Sequence, residues 1–413
     1  MLTRTLVHAF LVAAVAVVGS PGARAGDVRI AERPNVGPFT TIQDGVNAAL
    51  EGESLLVVPG PYAPFVIDGK SVHVFSHGAA QATITGQVIV RNLALGQSVL
   101  LHGLDVTSTL HNTVVTLDVA NVQGHLRVQR CGFFGSYEYG DPNPGVRVTN
   151  SVNVVFSDCT LLGGNGASAP SFFPFDGGPG LESTFSAVAA YGTLVRGGTG
   201  STTTDPRGGH GGSGYSGRDL GLFASGCIFQ GGNGGDGDWP PNTVGGTGGT
   251  AFVIDSAQGF LLDCATLPGT GGLGGTGIQA PAGATVQQLN GAITHVLPGS
   301  ARRLSAAAVT SDDVSVGITV QGQPGDIVYL VMARRPAFTV QISAGGVWMV
   351  PQPAFTSALP LGTVGPSGTL VVQRSFGIPD GTVAARLFWL QAICVDPAGQ
   401  RTLTGPAHVL SLE

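Results

Sequence analysis

Charged residues are scarce in this chain of 413 residues. Asp, Glu, Lys and Arg together make up 11% of the sequence, the formal net charge is −6, and Lys70 is the single lysine. A protein that binds nucleic acid needs a basic stripe or patch to attract the phosphate backbone, and the sequence has none. We therefore expect no nucleic-acid partner.

Long apolar runs are also rare, and the one that occurs lies at the start of the sequence. Arg4 supplies a positive charge, Leu6 to Val18 is apolar apart from His8, and Ala23-Arg24-Ala25 fits the small-x-small pattern of a cleavage site. The run is shorter than the ~20 residues that cross a bilayer. We expect residues 1–25 to be a signal peptide, no membrane span in the mature chain, and a secreted, periplasmic or cell-surface location.

What the sequence has in abundance is glycine, with 66 residues, and an internal repeat centred on small or apolar residues. An apolar residue precedes each centre by three positions, and in all but the last repeat another follows it by two. A fixed period of this size indicates a solenoid, in which each repeat buries its apolar face against its neighbours. The repeat centres are Leu104, Cys131, Cys159, Thr193, Cys227 and Cys264.

The spacing within one repeat predicts β-strands. Val152, Val154 and Phe156 alternate with other residues, which is the period of two of a half-buried strand. Ser157-Asp158 then shifts the phase, so that Cys159 continues the inward face after a bend. Repeated in every coil, this pattern predicts an all-β fold of short parallel strands around a shared interior, a parallel β-helix.

The five cysteines favour packing over chemistry. Stacked equivalent positions lie about one strand spacing apart, which is wider than the ~3.8 Å between Cβ atoms that a disulfide prefers. Thr193 and Leu104 occupy equivalent positions, where a metal-binding or redox role would not tolerate them. We expect the four cysteines of the repeat to form a buried file.

A short amphipathic helix is predicted ahead of the repeats. Ile42, Val46, Ala49 and Leu50 fall on one helical face, and Thr41 can cap the first turn. Such a helix would cover the open end of the solenoid core.

The segment FTTIQDGVNAALEGESLLVVPGPYAPFVI, residues 39 to 67, and the V-x-x-C-x-F repeats resemble the pectate-lyase-like right-handed parallel β-helix superfamily over residues 39 to 285. The resemblance implies the fold and a choice of activities, because the superfamily includes polysaccharide lyases, glycoside hydrolases, esterases, phage tailspikes and adhesins. Of the active-site patterns of its enzymes, the sequence echoes only a Gly-His-Gly, at Gly209-His210-Gly211. Catalytic residues are therefore left unassigned.

Insertions that follow the glycine turns of the later repeats are the predicted ligand site. Insertions at equivalent positions of successive coils emerge on one side and stack as a lobe. Exposed aromatic rings beside carboxylates can stack on sugars and bind hydroxyls, although the same rings could instead close small satellite cores. The candidate ligand-binding residues are Phe172, Phe173, Asp205, His210, Tyr215, Asp236, Asp238 and Trp239.

The glycine turns themselves allow two interpretations. Residues 231 to 239 match the first part of a calcium-binding nonapeptide, but Asp238 stands at its apolar position and no tandem copy follows. Alternatively, the glycine segments lie against one another, since a missing Cβ permits close backbone approach. We expect no cofactor, with Ca²⁺ as the one alternative; a metal site is left unassigned.

After residue 285 the repeat stops, and short alternating strands separated by Pro/Gly turns predict a smaller β-sandwich over residues 286–413. The ending FWLQAICVDPAGQRTLTGPAHVLSL resembles a domain of exported proteins from planctomycete-like bacteria. The sequence thus predicts a right-handed parallel β-helix over residues 26–285, with an N-terminal capping helix and glycine-rich insertions, followed by the sandwich.

Three functions fit this organisation. The first is an exported protein that binds a polysaccharide or cell-surface glycan, or another cell-surface partner, without catalysis. The second is a polysaccharide lyase or glycoside hydrolase acting on an acidic polysaccharide, which needs paired carboxylates or a calcium cluster. The third is a structural component of the cell envelope. The oligomeric state is left open.

Overall fold

The structure is a computed structural model. It describes residues 28–78, 80–108, 115–136, 143–167, 174–202, 207–237, 243–307, 309–311, 315–351, 358–375 and 384–412. The predicted signal peptide, residues 1–25, lies outside the described residues.

The described chain is almost entirely β-structure. Its helix α1 spans Ile42–Ala48, and a single 3-10 turn spans Ile342–Ala344. The strands as far as residue 297 are β1 (Val28–Ile30), β2 (Glu53–Val57), β3 (Pro61–Tyr62), β4 (Phe65–Asp68), β5 (Val72–Ser76), β6 (Ala82–Thr85), β7 (Val88–Arg91), β8 (Ser98–His102), β9 (Leu104–Thr107), β10 (Leu117–Ala120), β11 (His125–Gln129), β12 (Gly132–Phe134), β13 (Val146–Thr149), β14 (Val154–Ser157), β15 (Thr160–Leu162), β16 (Leu181–Tyr191), β17 (Leu194–Arg196), β18 (Tyr215–Ser225), β19 (Ile228–Gln230), β20 (Phe252–Leu262), β21 (Ala265–Leu267), β22 (Val286–Leu289) and β23 (Ile293–Leu297). The later strands are β24 (Arg303–Ser305), β25 (Val309–Ser311), β26 (Val316–Gln321), β27 (Ile327–Ala333), β28 (Thr339–Gln341), β29 (Gly346–Trp348), β30 (Leu359–Thr363), β31 (Thr369–Arg374), β32 (Ala385–Val395), β33 (Arg401–Leu403) and β34 (Ala407–Leu412).

The described part of residues 53–297, here called the parallel region, forms coils of short strands that stack in parallel on three faces. Face 1 contains β2, β5, β8, β11, β14 and β23; face 2 contains β4, β7, β10, β13 and β22; face 3 contains β3, β6, β9, β12, β15, β17, β19 and β21. The 11-residue strands β16, β18 and β20 each run through face 2 and continue into face 1. The prediction of an all-β fold with long parallel sheets is confirmed.

The predicted repeat is found in register. On face 3, Gly132 pairs with Thr160, Thr160 with Leu194, Leu194 with Ile228 and Ile228 with Ala265. The cysteines and Thr193 directly precede these pairs and therefore form one file. All five cysteines are free, and of the four in the file three are buried and Cys264 is half-buried. Burial raises the pKa of the Cys131 thiol to about 12, which agrees with packing rather than nucleophilic chemistry.

The predicted phase shift occurs at a residue with a left-handed backbone conformation, where the chain turns from face 1 to face 3. Asp158 has a φ of 56°, and the residue before every other repeat centre is also left-handed. One such residue rotates the strand direction while keeping alternate side chains on the same core. The full set is Gly103, Arg130, Asp158, Gly192, Gly226 and Asp263.

Helix α1 lies where the sequence predicts it. The Thr41 hydroxyl oxygen accepts a hydrogen bond from the backbone N–H of Asp44 at 3.0 Å, which satisfies one of the free donors of the first turn. Ile42 and Val46 are buried in the same apolar cluster as the interior of the parallel region. Leu50 lies beyond the last helical residue and is exposed, so the helical face is shorter than predicted.

The glycine segments after face 3 form two hydrogen-bonded layers. Gly198 donates its N–H to Gly178, Gly212 to Gly198, Gly232 to Gly212 and Gly249 to Gly232, at 2.7–2.8 Å, so each segment is tied to segments of the other layer. A Cβ atom at Gly232 would lie 1.8 Å from the carbonyl oxygen of Gly198. Extended chains packed this closely require glycine at the contact, as in collagen. The prediction that the glycine segments lie against one another is confirmed.

The described part of residues 303–412, the C-terminal region, contains two larger sheets and a hairpin. The sheet of β24, β26 and β31 and the sheet of β25, β34, β32, β27, β30 and β33 share one apolar cluster, to which Leu304, Ile318, Leu330 and Val409 belong. Strands β28 and β29 pair as the hairpin.

The C-terminal region packs on the outer side of face 1. Phe75 and Leu100 of face 1 share a cluster with Trp389 and Leu410. Arg127 is completely buried there, and its guanidinium donates to the carbonyl oxygens of Asn153 at 2.8 Å and Ala337. Face 1 is thus covered from β5 to β14, whereas face 2 keeps half-buried and exposed side chains on its outer side.

Candidate functional site

Five of the eight candidate residues from the sequence, Phe172, Phe173, Asp205, Asp238 and Trp239, lie outside the described residues. The other three, His210, Tyr215 and Asp236, have defined positions.

Tyr215 belongs to the interior. Its side chain is 1% exposed, its ring stacks on Phe252 with 5.0 Å between centroids, and its hydroxyl is 2.7 Å from the Ser183 hydroxyl. Burial raises the pKa of Tyr215 to about 12. A ring in this position is not accessible to a saccharide, and its role is to pack the core below the glycine layers.

His210 and Asp236 hold neighbouring glycine segments together. The His210 Nδ1 atom accepts a hydrogen bond from the backbone N–H of Thr247 at 3.0 Å. The backbone N–H of His210 donates to the Asp176 carboxylate at 2.7 Å. Asp236 accepts from the N–H of Leu273 at 2.6 Å. The side chains of His210 and Asp236 thus accept hydrogen bonds from backbone groups of the next coil and connect neighbouring glycine segments.

The calcium alternative has no ligand set in the described part of the chain. Among those residues, no group of three or more His, Cys, Asp or Glu side chains is placed to hold a metal ion. Asp238, which belongs to the nonapeptide match, lies outside them. The described residues also contain no helix long and apolar enough to cross a membrane.

The outer side of face 2 presents a polar file that sequence reasoning missed. Asp118, Arg147, Glu182 and Ser216 occupy one register position on successive coils. Arg147 is paired with Glu182 at 3.0 Å, and both side chains are more than one third exposed. One coil spacing of ~4.8 Å separates each member from the next. The file therefore offers carboxylate and guanidinium groups at regular intervals on an accessible surface.

Asp118 differs from Glu182 in its surroundings. Burial raises the pKa of the Asp118 carboxyl, although the Arg147 guanidinium partly opposes this. Two carboxylates on either side of one arginine thus lie in different environments, two coils apart.

A strained corner adjoins this file, where the chain turns from face 2 to face 1. Three successive coils place Asn there, at Asn92, Asn121 and Asn150, all left-handed with φ of 48–57°. In the next coil the position is Phe185, with φ of 50° and a side chain that is 54% exposed. The left-handed region is unfavourable for a bulky side chain, and strain of this kind clusters at functional sites.

In the following coil the position equivalent to Phe185 is Asp219, with φ of 55°, and Leu220 comes one residue after it. Leu220 is also left-handed, with φ of 62°, and is 54% exposed. Beside it runs an open groove of about 650 Å³, bounded by Phe260 on face 1 and by Phe338 and Val340 near hairpin β28–β29. Ser256, Gln258 and Asn290 add polar groups to its wall. A mainly apolar groove with a few polar groups is the usual form of a ligand site.

We call the surface made by Asp118, Arg147, Glu182, Phe185 and Leu220 the corner site. Its one signal in the sequence is the spacing of Asn92, Asn121 and Asn150, each 29 residues after the last, which breaks at Phe185. That break becomes visible only when the repeat is aligned on these asparagines and not on the cysteines.

No protein-family model matches the chain, and no curated protein matches it. Among solved structures, it is similar to tailspike protein 2 of Escherichia coli O157:H7 bacteriophage CAB120, at 9% identity and a TM-score of 0.30, over 88% of this chain and 65% of that one. It is also similar to the ORF18 protein of Geobacillus virus E2, at 10% identity and 0.24, over 88% and 72% of the two chains. A third similar structure is the tailspike receptor binding domain of Siphovirus 9NA, at 11% identity and 0.17, over 89% of each chain.

The chain therefore spans 65% of the length of the first of these structures. At these TM-scores the likenesses carry no argument about function, which is argued below from the corner site.

Proposed function

We propose that the three faces close into a right-handed parallel β-helix of the pectate-lyase-like type, capped by α1 and followed by a β-sandwich. The parallel register on all three faces and the single apolar cluster between them support closure. The two sheets around one cluster support the sandwich. The sequence predicts the boundary between the two domains after residue 285. We propose instead that it lies after Leu297, because β22 and β23 still pair in parallel with β20.

For the function, we propose that the protein is exported and binds a polysaccharide or cell-surface glycan without turning it over. The observation that carries this proposal is Phe185, an exposed ring in a left-handed conformation, three residues after Glu182 of the Arg147–Glu182 pair on the same strand. The apolar face of a sugar ring packs on an aromatic ring, and its hydroxyl groups bond carboxylates and guanidinium groups. The strain at Phe185 indicates that exposure of the ring serves a purpose other than stability.

The geometry also supports an extended ligand. The polar file runs along the stacking direction, and the groove begins on the other side of the corner at Leu220. A chain of several sugar units could cross the corner with hydroxyls on the file and ring faces on Phe185. The sequence-predicted site in the glycine-rich insertions stays a second proposed location for the ligand.

A glycan array with the purified protein, followed by titration calorimetry of the best ligand, tests the proposal. We expect Phe185→Ala and Glu182→Gln each to weaken binding by about tenfold or more, which corresponds to ~1.4 kcal/mol. The matched control is Leu95→Ala, since Leu95 is 86% exposed and lies outside the corner site. Full binding by both corner variants would overturn the corner site.

A glycoside hydrolase is the second candidate function, favoured by Asp118 and Glu182. An inverting hydrolase uses a protonated and an ionised carboxyl group ~6.5–9.5 Å apart. Two coil spacings amount to ~9.6 Å, at the upper limit of this range. Burial raises the pKa of Asp118, while Arg147 pairs with Glu182. A reducing-sugar assay on the array ligands decides: turnover that is lost in both Asp118→Asn and Glu182→Gln would replace the binding proposal with an enzyme.

A further inference from the structure

The last coil of the parallel region differs from all others in its charge. From Cys264 to Ser300 the sequence contains no Asp, Glu, Lys or Arg, and His295 is its single titratable side chain apart from Cys264. Asp263 and Arg302 bound this neutral segment. Charged side chains are a usual device by which proteins keep an open strand edge from pairing with another chain. This coil lacks that protection.

The same coil carries the open edge of the stack. Within the described residues, β22 and β23 each pair with β20 alone, and β21 pairs with β19 alone. The other side of each strand therefore presents backbone N–H and C=O groups to the outside. At the opposite end, α1 and β1 cover the first coil.

The apolar interior is also open at this end. Cys227 and Phe229 are buried, whereas Cys264 and Thr266, one coil later in the same files, are half-buried. The last coil also carries exposed apolar side chains, the most exposed being Val296 at 80% and Ile278 at 72%. Val296 pairs with the buried Leu261 and so continues the file of core residues to this end. The other exposed apolar residues of the coil are Leu267, Leu273, Leu289 and Ile293. Repeat proteins need a polar cap on a terminal repeat, and this coil does not provide one.

We propose that this surface binds a second copy of the same chain, end to end across a two-fold axis. The open edges of β21, β22 and β23 follow the outline of one whole coil, so a single peptide strand could pair with one face but not with all three. Another copy of the same coil presents edges on the same outline. A two-fold contact also brings identical residues close together, which like charges oppose and a neutral segment permits.

In the dimer, β23 lies antiparallel to β23 of the second copy, because a two-fold axis perpendicular to the stack reverses the strand direction. Antiparallel pairing of this kind needs no connecting segment. The contact covers the open core and the exposed Val296 at the same time.

The experiment measures the mass of the full chain by light scattering and sedimentation at micromolar concentrations. We expect a dimer in the unmodified protein and a rise of at least about tenfold in the dissociation constant for Val296→Lys, because two lysines would meet at the contact. Leu95→Lys is the control, since Leu95 is equally accessible but lies far from the last coil. Circular dichroism confirms that each variant is folded, and Gln288→Lys on β22 replaces Val296→Lys should that variant not fold.

Variants of opposite charge at residue 296 test whether the partner at this surface is a second copy of the chain. Mixing Val296→Lys with Val296→Glu should restore the dimer as a mixed species, because opposite charges then meet across the axis. A monomeric unmodified protein overturns the proposal, and so does a dimer that neither lysine variant weakens. Failure of the mixture to associate would exclude the two-fold arrangement.

Discussion

The hydroxyl oxygen of Tyr191 accepts a hydrogen bond from the backbone N–H of Val347 at 3.0 Å, between residues 156 positions apart in the chain. Tyr191 is on the outer side of face 1 and Val347 is on hairpin strand β29, so this bond joins the parallel region to the C-terminal region. Both groups are buried, together with Val155, Phe223 and Met349. A buried donor that loses its acceptor cannot recover the bond from water.

Replacing this hydroxyl should therefore destabilise the protein. We expect Tyr191→Phe to lower the free energy of unfolding by ~1–3 kcal/mol, the cost of one buried unsatisfied N–H group. Chemical denaturation followed by circular dichroism measures the change. An unchanged midpoint would mean that the two regions are held together by apolar contacts alone.

A second prediction concerns acid stability at the same interface. His73 and His102 are buried on face 1, where His73 packs edge-on against Trp389, and burial lowers the pKa of each to about 4 from the ordinary 6.5. The unfolded chain then binds more protons than the folded chain between pH 6.5 and pH 4. Stability is thus complete above pH 6.5 and is lost as the pH falls through that window.

The loss should be on the order of 2 kcal/mol per histidine by pH 5. Denaturation curves at several pH values measure the loss. In His73→Leu, the difference in bound protons between the unfolded and folded chains should fall by about one, so the free energy of unfolding should depend less steeply on pH. The control is His77→Leu, because His77 is exposed. A slope that stays the same in His73→Leu would contradict the assignment.

The glycine layers give a third prediction. Gly232→Ala places a Cβ atom 1.8 Å from the Gly198 carbonyl oxygen, and backbone atoms cannot move aside as a flexible side chain does. We expect a loss of ~3 kcal/mol or more, at the upper end of the cost of overpacking. The control is Gly365→Ala, whose nearest atom would be 4.0 Å away. That variant should be neutral or more stable by ~0.4–1 kcal/mol. Equal effects of the two variants would rule out close packing of the layers.

The interior was predictable from the sequence because its signal is local and repeated. The file through Cys131, Cys159 and Cys227, and the shift of phase at Asp158, follow from residue spacing alone. The outer faces were not predictable to the same extent. Val155 alternates with inward residues as a solvent-facing residue would, yet it is buried because a segment nearly 200 residues later packs on it. That contact has no local signal.

The candidate site residues show the same limit, because features that depend on stacking of the coils have no local signal in the sequence. Tyr215 was predicted at the tip of an insertion, either exposed to a ligand or closing a small satellite core, but it begins β18 and is buried in the main core. Phe185 was not selected, because a strand residue beside alternating apolar residues gives no sign of a left-handed conformation. The value of φ depends on the corner that each coil must turn, and that corner is fixed by stacking on the neighbouring coils.

The final prediction separates the role of Phe185 in binding from its effect on stability. Asn is the residue at the equivalent corners Asn121 and Asn150, and it tolerates the left-handed region much better than Phe does. We expect Phe185→Asn to raise the free energy of unfolding by about 1 kcal/mol, and to weaken glycan binding by about tenfold or more, or ~1.4 kcal/mol. Denaturation and calorimetry on the same preparation measure the two effects. Such opposite changes are typical of a strained functional position. A variant that gains stability and keeps full binding would place the ligand in the glycine-rich insertions, whereas a loss of stability would show that the ring is held by packing rather than exposed for a ligand.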